Sequence, residues 1–360
     1  MKLLLFSSLL LFALNSQAIH PHADKPLKVL PPAQEGQLYH GAFTDNSEEE
    51  NHVVLENIRK FEQLATKKVA WVYFSNHWFN GRVTFPTDAI ETIKKSGAVP
   101  YIRMSPWSRQ QEEVADPLIN MQKIIDGKFD SDLKEWARQA RDSGVALMIE
   151  FGPEANGSWF PWNGVWNGGS KKTDYGDPNW PDGPERFRDA YRHVVDLFRA
   201  QGANNITWIL HIDTSQYPAA EWNDPKYYYP GDDYIDWIGI TVYGQQVPND
   251  EDWEEFVPKL TRYMPKIDAI SKTKPLMISE YAVIEDPNNS KRKAKWISDA
   301  LNFVMSAKIP RIRAATYWHA GGWLPNGKNN FKIDSSAASL KAYQDAVSDS
   351  RWISEVQLTQ

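Results

Sequence analysis

The sequence predicts a (β/α)8 TIM barrel folded as a single α/β domain. Three observations carry this reading. Short apolar runs alternate with longer amphipathic ones to the end of the chain, the alternation supplies eight strand candidates, and polar and aromatic residues gather just past the ends of those strands. In a parallel barrel the strand C-termini meet at one face, so residues that share no helix and no turn type still share a rim. The competing architecture is an open doubly wound sheet, which usually carries a glycine-rich phosphate loop after its first strand. Here the first strand runs into Gly41-Ala42-Phe43-Thr44-Asp45, which lacks that fingerprint.

Taken in order, residues 1–18 read as a signal peptide. Lys2 supplies the positive end, Leu3 to Leu14 an apolar run too short to span a bilayer, and Ser16-Gln17-Ala18 a small-x-small cleavage pattern. The product is expected in the periplasm or outside the cell. Residues 19–37 form a Pro-rich leader (His20-Pro21, Pro31-Pro32), and residues 38–360 the barrel domain. The strand candidates are Tyr39 to Phe43, Val69 to Phe74, Ala98 to Met104, Val145 to Phe151, Ile206 to Ile212, Ile235 to Val242, Leu276 to Tyr281 and Arg313 to Trp318. Each is expected to pair with a helical stretch. Helical patterns cover Ser47 to Leu64, Pro86 to Lys95, Ser131 to Asp142, Pro184 to Ala200, Glu254 to Ile270 and Lys291 to Met305. Glu48-Glu49-Glu50 and Lys291-Arg292-Lys293 read as solvated helix starts.

Composition narrows the function. A formal net charge of −6 argues against nucleic acid or an anionic membrane as partner. There is no cysteine, so an exported chain must rely on its core and has no thiolate metal site. Trp 16, Tyr 15 and Phe 15 make the chain rich in rings. Several of the Trp lie in Gly/Asn/Pro-rich loop segments, where flat apolar faces suit sugar rings. The chain is expected to work as a monomer.

Two carboxylates stand at strand ends. Glu154 follows the run Val145 to Ile149, inside Phe151-Gly152-Pro153-Glu154-Ala155-Asn156-Gly157-Ser158-Trp159-Phe160-Pro161-Trp162, and Glu280 ends Pro275-Leu276-Met277-Ile278-Ser279. Cleaving a sugar acetal needs one proton donor for the leaving oxygen and one carboxylate at the anomeric carbon. Strands four and seven face each other across a barrel mouth. Rings near Glu154 would raise its pKa, and the Tyr243 hydroxyl, from the next strand end, can meet Glu280. Glu150, last in its apolar run, competes for the acid role but reads as pointing into the barrel or into a salt bridge. His77, His211 and His319 also fall at strand ends. They lack the spacing of a metal set and suit hydrogen bonds to sugar hydroxyls, so neither metal nor organic cofactor is expected.

These residues resemble a known family. Glu154 to Trp162 resembles the acid/base motif of glycoside hydrolase family 26, the largely β-mannanase family of the retaining (β/α)8 clan. Pro275 to Tyr281 resembles its nucleophile strand, and Tyr229 to Gly244 its sixth-strand signature. The resemblance runs from about Tyr39 to Trp318 with the three motifs in order. It implies Glu154 as general acid/base, Glu280 as nucleophile and Tyr243 as the hydroxyl that positions it. Trp159 and Trp162 would line the cleft, and Trp318 would be a sugar platform. His77, Trp107, Asn156 and His211 complete the expected sugar-binding set. Pro153 stands where the family usually has a histidine that helps hold a sugar hydroxyl in the mannanases, and Glu150-Phe151-Gly152 where an arginine often sits. The implied function is a secreted retaining endo-β-glycanase. Its substrate is first β-1,4-mannan, then mixed-linkage β-glucan or β-1,3-xylan. A non-catalytic carbohydrate-binding barrel is the reading from another class, and a metal-dependent hydrolase a third.

Overall fold

β1 (Leu38–Thr44) pairs in parallel with β2 (Trp71–His77) on one edge and with β8 (Ile312–His319) on the other, and this double pairing closes the sheet into a barrel. The structure is a computed structural model describing residues 29–45, 50–248, 253–322, 329–356 and 358. The expected signal peptide lies outside the described residues. Between β2 and β8 the wall runs in sequence order through β3 (Val99–Ser105), β4 (Leu147–Phe151), β5 (Ile206–Asp213), β6 (Trp237–Tyr243) and β7 (Leu276–Ala282). Helices α1 (Leu55–Ala65), α2 (Thr87–Ser96), α3 (Met121–Ile125), α4 (Asp130–Ser143), α5 (Asp182–Ala200), α6 (Phe256–Ile270), α7 (Arg292–Met305) and α8 (Ala337–Val347) occupy the connections.

Two expectations about the elements are corrected. The β5–β6 connection holds two short 3-10 turns, at Glu221–Asn223 and Pro225–Tyr227, and no α-helix. Pro218, Pro225 and Pro230 interrupt it, and each removes a backbone donor that a helix would need. The helix expected from Ser47 starts only at Leu55, because Glu50 is drawn inward: its carboxylate accepts from Ser75 Oγ at 2.6 Å and Arg103 Nη1 at 2.9 Å. α8 supplies the helix expected to pair with the eighth strand, and Ser336 caps it, accepting from the Ser339 N–H at 3.1 Å.

Lys293, expected as part of a solvated helix start, is instead fully buried. Its ammonium donates to the carbonyls of Asn330 and Lys332 and to Ser335 Oγ, at 3.2, 2.9 and 2.8 Å. Burial holds its pKa down at about 7. The contact ties α7 to the loop that follows β8.

The end of the barrel away from the strand C-termini is closed by chain ends. The Leu30 N–H donates to Thr207 Oγ1 at 2.7 Å, and Trp237 Nε1 donates to the Leu30 carbonyl at 3.0 Å. A short strand, β9 (Trp352–Ile353), adds to β1 at Leu38 and Tyr39. Inside the wall, Trp71 reaches over β1 to donate to Thr316 Oγ1 of β8 at 2.9 Å. It fits only because β1 carries Gly41: a Cβ there would stand 2.1 Å from Trp71 Nε1. Gly41→Ala is therefore expected to lose about 1–3 kcal/mol of stability by overpacking. Urea unfolding checks this, the midpoint falling at unchanged slope; a variant as stable as wild type would show that Trp71 packs elsewhere.

Candidate active site

β7 carries one residue too many for its neighbours. Ile278 pairs with Ile240 of β6, but the next β6 residue, Thr241, pairs with Glu280; on the other side Ile278 pairs with Ala315, and Tyr281 with Tyr317. The extra residue bends the strand and changes which way the following side chain points. Glu280 is thereby aimed into the barrel mouth, where it is buried.

Below it lies a polar network in the barrel interior. Tyr73 Oη donates to Glu280 Oε1 at 2.8 Å and also contacts Glu150. Tyr101 Oη donates to Glu150 Oε2 at 2.6 Å and accepts from Ser279 Oγ at 2.8 Å. Tyr243 Oη donates to Glu280 Oε2 at 3.0 Å. Arg103 supplies the cation. Its Nε lies 3.3 Å from Glu280 and 3.8 Å from Glu150, both as charge contacts rather than aligned hydrogen bonds, and its Nη1 bonds Glu50. The register places Arg103 opposite Glu150 on adjacent strands, so the pairing is built into the sheet. Burial pushes the Glu280 carboxyl up, partly offset by Arg103, His211 and the Tyr73 hydroxyl, and the net displacement is upward. At Glu150 burial also pushes up, but His211, Arg103 and Tyr101 outweigh it and hold that carboxyl below its ordinary value.

Glu154 reaches the same cleft from a strained turn. Its φ is +51°, unfavourable for a residue with a side chain, and Gly152 two residues earlier has φ +60°. A Cβ at Gly152 would stand 2.7 Å from the Phe187 ring. Trp159 Nε1 donates to Glu154 Oε2 at 2.7 Å. Burial pushes the Glu154 carboxyl well above the usual carboxylate range. Asp213 and Glu280 push it further, and Arg103 and the Thr241 hydroxyl only partly offset this. The two carboxyls thus differ in the sense that an acid and a nucleophile require: both are raised, Glu154 more.

Glu154 and Glu280 line one cleft of ≈ 280 Å³ at the strand C-termini. Of the expected sugar-binding residues, Tyr243, Trp159, Trp318, Trp107 and His77 line it too. Trp318 stacks on Phe43 with centroids 4.0 Å apart. His77 is held neutral, burial lowering its pKa to about 4. Its Nδ1 accepts from Trp107 Nε1 at 2.7 Å, which leaves the proton on Nε2 as a donor.

Trp162, Asn156 and His211 do not line the cleft, contrary to expectation. Trp162 is fully buried behind Phe160, stacked at 4.4 Å, with Nε1 on the Pro153 carbonyl at 2.7 Å. Asn156 is a buried fastener: it donates to the Asp213 carbonyl and accepts from the Asp213 N–H, both at 2.8 Å. His211 lies beneath the cleft, 3.0 Å from Glu150 and 2.7 Å from Thr241 Oγ1. Sequence reasoning missed Arg103, Asp213, Glu50 and Glu112 as cleft residues. Arg103 and Asp213 do fall at strand ends, so their position was a usable signal. Glu50 and Glu112 come from loops and carried none.

Glu150, His211 and Glu280 bring possible metal-ligand atoms within 4.8 Å of one another. The Arg103 guanidinium already sits against both carboxylates, and Tyr73 and Tyr101 donate to them. The donor set therefore fits a hydrogen-bonded charge network better than a cation cage.

A family model, Glycosyl hydrolase family 26, matches residues 68–298. Endoglucanase H of Acetivibrio thermocellus is 26% identical over 294 residues, covering 81% of this chain and 29% of that protein. The β-1,3-xylanase TXYA of a Vibrio species is 24% identical over 161 residues, covering 44% of this chain and 28% of that one. The chain spans less than two-thirds of the length of the curated relatives it matches. Among solved structures, an endo-β-1,4-mannanase of Cellulomonas fimi superposes with TM-score 0.62 at 15% identity, covering 89% of this chain and 72% of that one. The catalytic domain of a Bacillus endo-β-1,4-mannanase gives 0.61 at 16%, covering 88% and 87%. At these identities the likeness is one of fold.

Removing Arg103 would leave Glu150 and Glu280 buried without their guanidinium. Arg103→Met is expected to lower the unfolding free energy by about 3–5 kcal/mol, as for other broken buried pairs. Arg103→Lys should recover only part, because a single ammonium cannot span Glu50 and Glu280. Denaturant titration of both variants decides; a loss below about 1 kcal/mol in Arg103→Met would mean that the guanidinium does not hold the network.

Proposed function

The chain belongs to glycosyl hydrolase family 26, and from that premise we propose that it is a retaining endo-β-glycanase with Glu154 as general acid/base and Glu280 as nucleophile. The observation that carries the reading is the pair itself. Two buried carboxyls from opposite strands line one cleft, with Glu154 raised well above the usual range and Glu280 braced by two hydroxyl donors, Tyr73 and Tyr243, and by the Arg103 charge. In the first step a Glu280 oxygen bonds the anomeric carbon while the glycosidic C–O bond breaks and the Glu154 proton passes to the leaving oxygen. In the second, Glu154 takes a proton from water, whose oxygen displaces Glu280 with net retention. Trp159, hydrogen-bonded to Glu154, holds the carboxyl towards the bond. Trp318 floors the cleft, and His77 offers its Nε2 proton to a sugar hydroxyl.

The substrate we infer is a neutral β-glycan. Glu50, Glu112 and Asp213 line the cleft, and Arg103, the one cation among the described residues that line it, is engaged by three carboxylates, so a polyuronic acid would meet repulsion. We place β-glucan first. Pro153 lacks the ring nitrogen that the family's mannanases use on a sugar hydroxyl, and the relatives with the longest sequence matches carry the name endoglucanase. Mannan and β-1,3-xylan belong to the same test panel. The apolar run Leu3 to Leu14 and the Ser16-Gln17-Ala18 pattern support export, for which N-terminal sequencing of the mature product is the direct test.

Reducing-end release from soluble β-glucan, glucomannan and β-1,3-xylan tests the activity; a wild type inactive on all three sinks it. Glu154→Gln should lose roughly 10²–10⁴-fold on polysaccharide, and less on an aryl glycoside whose leaving group needs no proton.

Activity requires Glu280 ionised and Glu154 protonated. It should fall as pH drops through the Glu280 pKa, which lies above its ordinary value, and fall again as pH rises through that of Glu154, which lies well above its own. Asp213→Asn removes a charge that raises Glu154, so the alkaline limb should move to lower pH while the acid limb stays. A kcat/KM profile with an unmoved alkaline limb would remove Asp213 from this role.

A further inference from the structure

Tyr217 is the most exposed of the large apolar side chains among the described residues, at 60%, and follows directly on the buried Gln216. A lone exposed ring is ordinary on a protein surface. Tyr217 differs in how its backbone is held. Its N–H donates to the Asn156 carbonyl at 3.1 Å, and its carbonyl accepts from the Ser158 N–H at 2.9 Å, so it bridges Gly157 in the segment that carries Glu154. Gly157 has no room for a side chain, because a Cβ there would stand 2.2 Å from the Trp159 ring. Gly157 thus has the Trp159 ring against its α-carbon and the Tyr217 backbone paired alongside its own. Trp159 in turn bonds the Glu154 carboxyl.

The residue before the ring is strained and anchored. Gln216 has φ +36°, rare for a residue with a side chain, and is buried. Its amide accepts from Tyr263 Oη at 3.3 Å and from the Lys266 ammonium, and donates to the Ala220 carbonyl at 3.1 Å. Asn156 fastens the same loop to β5 and to Tyr263 Oη at 2.8 Å. Strain of this kind persists only where the surroundings over-determine it. Its effect here is to turn Gln216 inward and to leave the ring of Tyr217 in solvent on a rigid support.

We propose that Tyr217 is a sugar platform on the leaving-group side of the cleft, stacking on the apolar face of a β-linked pyranose beyond the bond that breaks. This rests on Glu154 acting as the acid: the sugar that departs lies on the side from which its oxygen is protonated, and Tyr217 belongs to the acid's own loop pair. A Tyr ring suits the role, since it offers a broad amphipathic face and loses little conformational freedom on binding.

The test compares wild type, Tyr217→Ala and Tyr217→Phe on two substrates of the same glycone, a long β-glycan and an aryl β-oligoglycoside with no sugar on the leaving side. Tyr217→Ala should lose roughly tenfold in kcat/KM on the long chain, as expected for withdrawing part of a ring face from contact, mainly through KM. It should keep the wild-type rate on the aryl substrate and transfer less product to an added oligosaccharide acceptor. Tyr217→Phe should restore all three, because the face and not the hydroxyl makes the contact. An active wild type whose Tyr217→Ala variant is unchanged on the long chain, or falls equally on both substrates, overturns the platform alone. A wild type inactive on every β-glycan overturns the two-glutamate reading and the platform with it.

Discussion

One buried guanidinium organises the mouth of this barrel. Arg103 stands against Glu50, Glu150 and Glu280, three carboxylates from three parts of the chain. Burying that much negative charge is unfavourable unless opposite charge and hydrogen bonds meet it. The barrel supplies both: Tyr73, Tyr101 and Tyr243 donate from inward-facing strand positions, and His211 closes the lower side. The arrangement also divides the carboxyls by environment. Glu150, nearest His211, is held below its ordinary value; Glu280, with Arg103 to one side, is moderately raised; Glu154, beside Asp213 and further from compensation, is raised most.

Local irregularity then aims the groups that the network braces. The extra residue in β7 turns Glu280 into the mouth, and the positive φ of Glu154 lifts its carboxyl over the same space. Neither device improves stability on its own. Both are held by neighbours that permit no alternative: Asn156 fastens the Glu154 loop to Asp213, and Trp162 and Phe160 stack beneath it. The same fastening extends to Gln216 and so to the placement of Tyr217. Acid, aromatic wall and outer ring therefore form one rigid assembly on the β4–β5 side, while Glu280 stands across from it on β7.

Much of the fold was legible in the chain because parallel strands buried on both faces read as apolar runs, and the eight expected runs match β1 to β8 within a few residues. The helices were less legible where side chains answer to the tertiary structure. Glu50 looked like a solvated helix residue and is held by Ser75 and Arg103; Lys293 looked solvated and is buried against carbonyls. In the site, Trp162, Asn156 and His211 carried the right chemistry in the right motif, yet they face inward as supports. Arg103 and Asp213 stood at strand ends but were passed over, since a single polar residue after a strand does not say which partners it will meet.

The sequence by itself determined the barrel, the two glutamates at strand ends and the ring-rich segments around them, because strand periodicity and strand-end position are local properties that a linear pattern records. Only the tertiary structure decided which carboxylates share the Arg103 charge, which of the motif's side chains face the cleft and which stand behind it, and which way Glu280 points. Those outcomes depend on register between strands distant in sequence. One added residue in β7 reverses a side chain's direction without leaving a mark that composition or periodicity can show.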